Sequence, residues 1–337
     1  MPSFDARLET LSEWLSHYPF KTGFTLAPAS ADASFRRYFR VTSGGETLIA
    51  MDAPPPREDC RPFVQVTGLM LEAGLNAPHI LAQDIERGFL LLSDLGNTTY
   101  LDGFNTLNGA NEHGLFSDAI DALIQWQKAS RPGVLPPYDA ALLRREIDLF
   151  PEWYVGRHLK TTFTAAQSAV FEKTAQLLID AALAQPSVWV HRDYMPRNLM
   201  ISTPNPGVLD FQDAVYGPIT YDVASLFRDA FVSWPEAREL DWVIRYWERA
   251  KAAGLPVNKD FAAFWREFEW MGLQRHIKVL GIFARIHYRD GKPHYLKDTP
   301  RFITYARRVA TRYRELGPFA KLLDELEGSA TAVGYTF

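Results

Sequence analysis

The chain has 337 residues, 47% hydrophobic and 13% aromatic, which is enough to bury a large core and, by length, to form two lobes. Its formal net charge of −4 excludes neither an anionic substrate nor a nucleotide, because whole-chain charge says little about a local site. A single cysteine, Cys60, excludes an internal disulfide and fits a reducing compartment. No apolar run approaches the ~20 residues needed to cross a bilayer, so the expected location is cytoplasmic, with no membrane partner.

The first stretch, MPSFDARLETLSEWLSHY, has acidic residues and a helical repeat (Leu8, Leu11, Leu15), which predicts a helix and not a signal peptide. Strands follow at Gly23 to Pro28, Ser34 to Val41 and Thr47 to Met51, the last two joined at Ser43-Gly44-Gly45. Pro54 to Pro56 break the chain, and Phe63, Val66, Leu69 and Met70 mark a helix over Pro62 to Gly74. His79 to Asp84 and Gly88 to Leu92 form another strand pair, and SDLGN at Ser93 to Asn97 has turn chemistry. From Phe116 the chain turns helical: Phe116 to Ser130, Ala140 to Leu159, Ala165 to Ala184, and then, after an interruption, helices to about Glu327. The reading is an α+β protein with a small β-rich lobe at 1–97 and a large helical lobe at 98–337.

The interruption carries the chemistry. Val188 to Asp213 reads VWVHRDYMPRNLMISTPNPGVLDFQD: an apolar strand, His191, Asp193, Asn198 five positions later, and Asp210 after a second apolar pair. Phosphoryl transfer asks a protein for positioning, a proton acceptor for the incoming hydroxyl, and metal ions that spread charge. Asp193 can accept the proton, while Asn198 and Asp210 can offer oxygens to Mg²⁺, a hard cation that takes few protein ligands beside a nucleotide's phosphates. Alone, each of these residues is as readily a turn residue or a helix cap, and His191 a packed histidine bracing the loop. The joint spacing favours function.

This spacing resembles the aminoglycoside phosphotransferase and choline kinase branch of the protein-kinase-like fold. HRDYMPRNLM, GVLDFQDAVYGPITYDVASLFRDAF and LQRHIKVLGIFARIHYRDGK look most like the bacterial anomeric N-acetylmuramate/N-acetylglucosamine kinases of cell-wall recycling. The resemblance implies a bilobal fold, ATP and Mg²⁺ as cofactors, and an amino sugar as substrate. It also implies that Asp222 braces the catalytic loop from below, and that Ser93 and Leu95 present hinge backbone to adenine. The small lobe departs from the kinase pattern: it has no G-x-G-x-x-G loop, and Met51 stands on the third strand where a phosphate-binding lysine is expected. Arginine binds phosphate oxygens bidentately, so Arg36, Arg37 and Arg40, beside the Ala29 to Ser34 loop, are the nearest replacements, with Ser34, Arg36 and Arg37 the expected phosphate contacts.

RREIDLFPEWYVGRH, from Arg144 to His158, combines acids, arginines and aromatics as a sugar site does, and a solvated helix end explains it nearly as well. The resemblance points to Glu146, Trp153, Arg275 and His276 as substrate contacts. Between Arg275 and Arg314 eleven Lys or Arg face two acids, a balance of about +9 that suits a carboxylated sugar better than a polycationic aminoglycoside. Without aromatics interleaved for bases, nucleic acid is not expected. The alternatives are an aminoglycoside or amino-alcohol kinase and, with lysine and glycine loop missing, a non-catalytic scaffold.

Overall fold

The computed structural model describes residues 5–30, 35–106 and 112–328; Ser34 and most of the Ala29 to Ser34 loop lie outside them. In chain order these form α1 (Ala6–Ser16), β1 (Thr25–Ser30), β2 (Arg37–Ser43), β3 (Glu46–Asp52), α2 (Arg61–Glu72), β4 (Ile80–Asp84), β5 (Phe89–Ser93), α3 (Tyr100–Thr106), α4 (Glu112–Lys128) and α5 (Ala140–Ile147). A π-helix (Phe150–His158) follows, then α6 (Ala165–Leu183), β6 (Ser187–Val190), a 3-10 turn (Pro196–Asn198), β7 (Leu199–Met200), β8 (Gly207–Val208) and β9 (Val215–Pro218). Helices complete the chain: α7 (Tyr221–Phe227), α8 (Glu236–Ala252), α9 (Phe261–Asp290), α10 (Thr299–Arg312) and α11 (Gly317–Leu326). Among the described residues no helix is long and apolar enough to cross a membrane.

Packing divides the chain into two compact units, Met1–Ala119 with Arg197–Asp213, and Ile120–Pro196 with Ala214–Phe337. A lobe boundary after residue 97, drawn by element type instead of packing, is kept as a proposal beside this division.

In the first unit, β1 to β5 form an antiparallel sheet in the order β1-β2-β3-β5-β4. Gly44 and Gly45, both at positive φ, make the two-residue turn between β2 and β3, where strand twist favours left-handed residues. The side chain of Asp5 accepts the Leu8 N–H at 3.0 Å and starts α1, whose Leu11 and Leu15 are buried with Phe39, Val41, Ala50, Phe89 and Leu91 of the sheet. The β7-β8 hairpin belongs to this unit because its backbone is stitched to it: Val208 N–H donates to Asn76 C=O at 2.8 Å and Ile201 N–H to Thr98 C=O at 2.9 Å. Asn205 adds side-chain bonds to Tyr100 at 2.8 Å and Asp118 at 2.6 Å.

In the second unit, β6 pairs antiparallel with β9, and Trp189 of β6 is buried against Trp126 of α4. The 30-residue α9 starts at the Asp260 cap, ends at left-handed Gly291, and is buried along most of its middle. The single helix expected over Ala140 to Leu159 is divided here: α5 stops at Ile147 and a wider π-helix begins at Phe150. Pro151 lacks the N–H that a continuing α-helix needs. Gly281 of α9 comes so close that a Cβ there would stand 2.4 Å from the Leu149 carbonyl carbon.

Candidate active site

Asn198 and Asp210 flank the β7-β8 hairpin, which brings them together. The Leu209 N–H donates to the Asn198 carbonyl at 2.9 Å, and Asn198 Nδ2 donates to Asp210 Oδ2 at 3.3 Å. Gln212 Nε2 donates to Asp210 Oδ1 at 3.0 Å, and Arg36 Nη2 lies 3.5 Å from the same oxygen. Asp210 holds this position at φ 62°, a left-handed conformation that a non-glycine residue adopts only when its surroundings enforce it. The next residue, Phe211, is fully buried with its ring 4.9 Å from that of Phe63. A buried amide beside a partly exposed carboxylate fits a hard divalent cation that takes oxygen ligands.

The arginines after the loop divide their tasks. Arg37 ion-pairs with Asp5 and, at 2.6 Å, with fully buried Asp52, so it is corrected from an expected phosphate contact to a clamp joining α1's start to β3. Arg40 grips the turn after β5, with Nε 2.7 Å from Asp94 and Nη2 3.0 Å from Gly96 C=O. Burial opposes the charge of Asp94, but Arg40, the Gly96 N–H and the Thr47 hydroxyl outweigh it and hold the carboxyl below its usual range. Arg36 is thus the arginine of the three that meets a predicted metal ligand. Met51 is fully buried.

The expected hinge is partly committed elsewhere. Ser93 donates its N–H to His79 C=O at 2.9 Å and accepts the His79 N–H on its hydroxyl at 2.8 Å, so neither group faces a ligand. Leu95 lies over β8, its Cδ1 3.0 Å from where a Gly207 Cβ would be.

In the second unit, the loop that carries Asp193 is built on a buried carboxylate. Asp222, at the start of α7 and fully buried, accepts the His191 N–H at 2.7 Å and the Arg192 N–H at 3.0 Å. Burial raises its pKa to about 7, and nearby Asp193 adds to the rise, while the two N–H groups and Arg275 work the other way. The Asp193 N–H then donates to His191 Nδ1 at 3.2 Å, and Arg192 stands between them at φ 75°. These bonds tie the loop to Asp222 and to the His191 ring, and Asp193 on it is half-buried.

Glu146 is reassigned. A carboxylate accepts about four hydrogen bonds. The oxygens of Glu146 already meet the Arg192 guanidinium, the Tyr138 hydroxyl, Lys278 Nζ at 2.8 Å and Gln274 Nε2 at 3.4 Å, which leaves nothing for a sugar hydroxyl. Burial would raise its pKa, but Lys278 and Arg192 outweigh it and bring the group down to about 2. Glu146 anchors the loop through Arg192.

Two further expected contacts are also internal. His276 is fully buried, stacked on Tyr305 with ring centroids 4.8 Å apart, and burial with Arg228 and Arg275 nearby holds it neutral. Arg275, 2% exposed, lies under the loop with Nη2 3.8 Å from Met195 Sδ and with Asp222 and Asp229 in electrostatic reach. Trp153 is half-buried on the π-helix.

Several of the cations between Arg275 and Arg314 are answered by acids, some inside that span and some outside it. Lys278 pairs with Glu146, Arg289 with Asp290, Arg301 with Asp298, Arg307 with Asp324, Arg308 with Glu239, and Arg312 with Glu236 and Glu269. The net local charge is therefore smaller than the count of this segment alone gives, and it carries less weight for a carboxylated substrate. Lys278, Arg192 and Tyr138 were missed as site residues, although a lysine inside the apolar run of α9 signals a buried ion pair.

A five-stranded antiparallel sheet followed by helices, with base, amide and second acid arriving in this order, describes a phosphotransferase of the protein-kinase-like fold. Residues 25–257 match the pattern of the phosphotransferase enzyme family, and the chain belongs to that family. It is 56% identical to the N-acetylmuramate/N-acetylglucosamine kinase of Pseudomonas putida, over 98% of this chain and 100% of that one. It is 50% identical to the protein of that name from Neisseria meningitidis, over 97% and 98%. A choline/ethanolamine kinase family protein from Mesorhizobium loti, 13% identical, shares the fold with a TM-score of 0.63, covering 95% of this chain and 99% of that one.

Proposed function

We propose that this protein transfers the γ-phosphate of ATP to the anomeric hydroxyl of N-acetylmuramate or N-acetylglucosamine. The observation that carries the reading is a base-bearing loop and an oxygen pair of the kinase kind in a chain 56% identical, end to end, to a kinase of those sugars. Asp193 accepts the hydroxyl proton. Its loop is kept rigid by Asp222 and by Glu146 through Arg192. An anomeric hydroxyl is more acidic than an ordinary alcohol, so orientation contributes more to the rate than proton removal. Asn198 and Asp210 would hold Mg²⁺, which would supply neutralisation of charge on the phosphates. Arg36 stands in for the third-strand lysine on the phosphate oxygens, and Leu95 offers an apolar surface to adenine.

The test is a panel of sugars and aminoglycosides incubated with ATP and Mg²⁺ and read by phosphate-transfer product. Sugar 1-phosphates are the expected products. Phosphorylation of aminoglycosides alone would overturn the choice of substrate and keep the choice of reaction.

A further inference from the structure

The carboxylate expected to hold the metal already has a cation beside it. Arg36 Nη2 lies 3.5 Å from Asp210 Oδ1, and the Arg36 side chain is only 10% exposed against 30% for Asp210. A guanidinium so far removed from water needs an anion near it in every state, because an unpaired buried charge is strongly destabilising. Asp210 is less dependent on the pair, since Asn198 and Gln212 also donate to it and preserve its orientation if Arg36 leaves. A divalent ion on this carboxylate would face the arginine's charge at close range, so metal and arginine compete for Asp210.

We propose that Arg36 exchanges between Asp210 and the nucleotide phosphates, barring metal from Asp210 until an anionic nucleotide is present and so coupling metal binding to nucleotide binding. This rests on the kinase reading given above. The neighbouring cations do not offer a substitute. Arg37 is held by Asp5 and Asp52, Arg40 by Asp94, and Lys21 is paired with Glu46 at the surface. The lysine position of β3 is buried Met51. Nucleotide without metal would draw Arg36 away and leave Asp210 facing phosphate, and metal without nucleotide would set a divalent charge against that of Arg36. Both together satisfy both charges.

The test measures binding, on the full-length protein: Mn²⁺ by electron paramagnetic resonance without nucleotide, and ADP by calorimetry in a chelator. Arg36→Met is expected to bind Mn²⁺ about 10-fold more tightly and ADP about 10-fold more weakly, within the usual range of coupling between sites. Arg36→Lys, which keeps the charge, should stay near wild type in the Mn²⁺ measurement. An arginine with only a structural role would not raise metal affinity when removed. Mn²⁺ binding unchanged or weakened by Arg36→Met overturns the exchange, as does unchanged ADP binding. Should Arg36→Met fail to fold, Asp210→Asn supplies the reciprocal: freed from its carboxylate, Arg36 should bind metal-free ADP more tightly, and unchanged or weaker binding sinks the proposal. Failure of wild type to bind ADP with or without Mn²⁺ would instead overturn the kinase reading.

Discussion

The first unit holds Asp210 in a different manner from that in which the second unit holds Asp222 and Glu146. Asp210 is partly exposed, and its contacts with Asn198, Gln212 and Arg36 run from 3.0 to 3.5 Å. Asp222 and Glu146 are buried, and their partners include two backbone N–H groups, a guanidinium, an ammonium and a phenol. Asp210, the proposed metal ligand, is thus kept open and weakly held. The carboxylates that only position a loop are saturated and sealed, where an electrostatic contact is worth more.

The comparison breaks most visibly at Asp193. Asp193→Asn should lower kcat by about 10²- to 10⁴-fold, the range for a general base, with nucleotide affinity measured by calorimetry nearly unchanged. Full turnover by that variant would remove Asp193 from its role.

Glu146→Ala tests whether the second unit's carboxylate is an anchor. It strands Arg192 and Lys278 in the interior and should cost about 3 to 5 kcal/mol in denaturant unfolding, the usual penalty for breaking a buried pair from one side. A loss in sugar KM with stability intact would restore it as a substrate contact.

The pH dependence separates the regions further. As pH falls through about 7, Asp222 takes up a proton, weakens as an acceptor for His191 and Arg192, and kcat should fall with it; a pH-rate profile reads this directly. Stability runs the other way for this group. Its folded pKa lies above the ordinary value of 3.8, so the folded state binds the extra proton between about pH 4 and 7, and the contribution of Asp222 to stability declines as pH rises across that window. For Glu146 the sign reverses: with its folded pKa lowered to about 2, its contribution is present above the ordinary value of 4.5 and lost as pH falls towards 2.

The smallest effect is expected at His276. His276→Phe keeps the stack on Tyr305 and should change sugar KM and kcat by less than about 3-fold, within the error of a neutral core exchange. A large rise in KM would return the residue to the substrate.

What the sequence made legible follows from the range of the signal. Asp193, Asn198, Asp210 and His191 fall within one local pattern, so residue type and spacing were enough to propose them, whereas Asp222 was proposed from the family resemblance. The strands of the small sheet were readable from alternation and from the Gly44-Gly45 turn. The roles of Glu146, Arg275 and His276 were not, because whether a side chain is saturated or open depends on partners far along the chain: Gln274 and Lys278 for Glu146, Tyr305 for His276. The same limit explains the misread charge of the C-terminal segment, where Arg308 and Arg312 are answered by Glu239, Glu236 and Glu269. The division of the Ala140 to Leu159 helix had a local signal in Pro151, while the close approach of Gly281 to Leu149 comes from far along the chain on α9.

The stitching of Arg197–Asp213 into the first unit has a consequence for the order in which the protein is made. Asn76 and Thr98 leave the ribosome well before the strands that satisfy them. At about 5 to 20 residues per second the interval is on the order of ten seconds. During that time the nascent first unit has a sheet but lacks Leu199, Val208 and Phe211, all fully buried in the finished protein. Newly made chains are therefore expected to depend on chaperones until Asp213 has emerged, and a fragment ending at Ala119 should be recovered as aggregate.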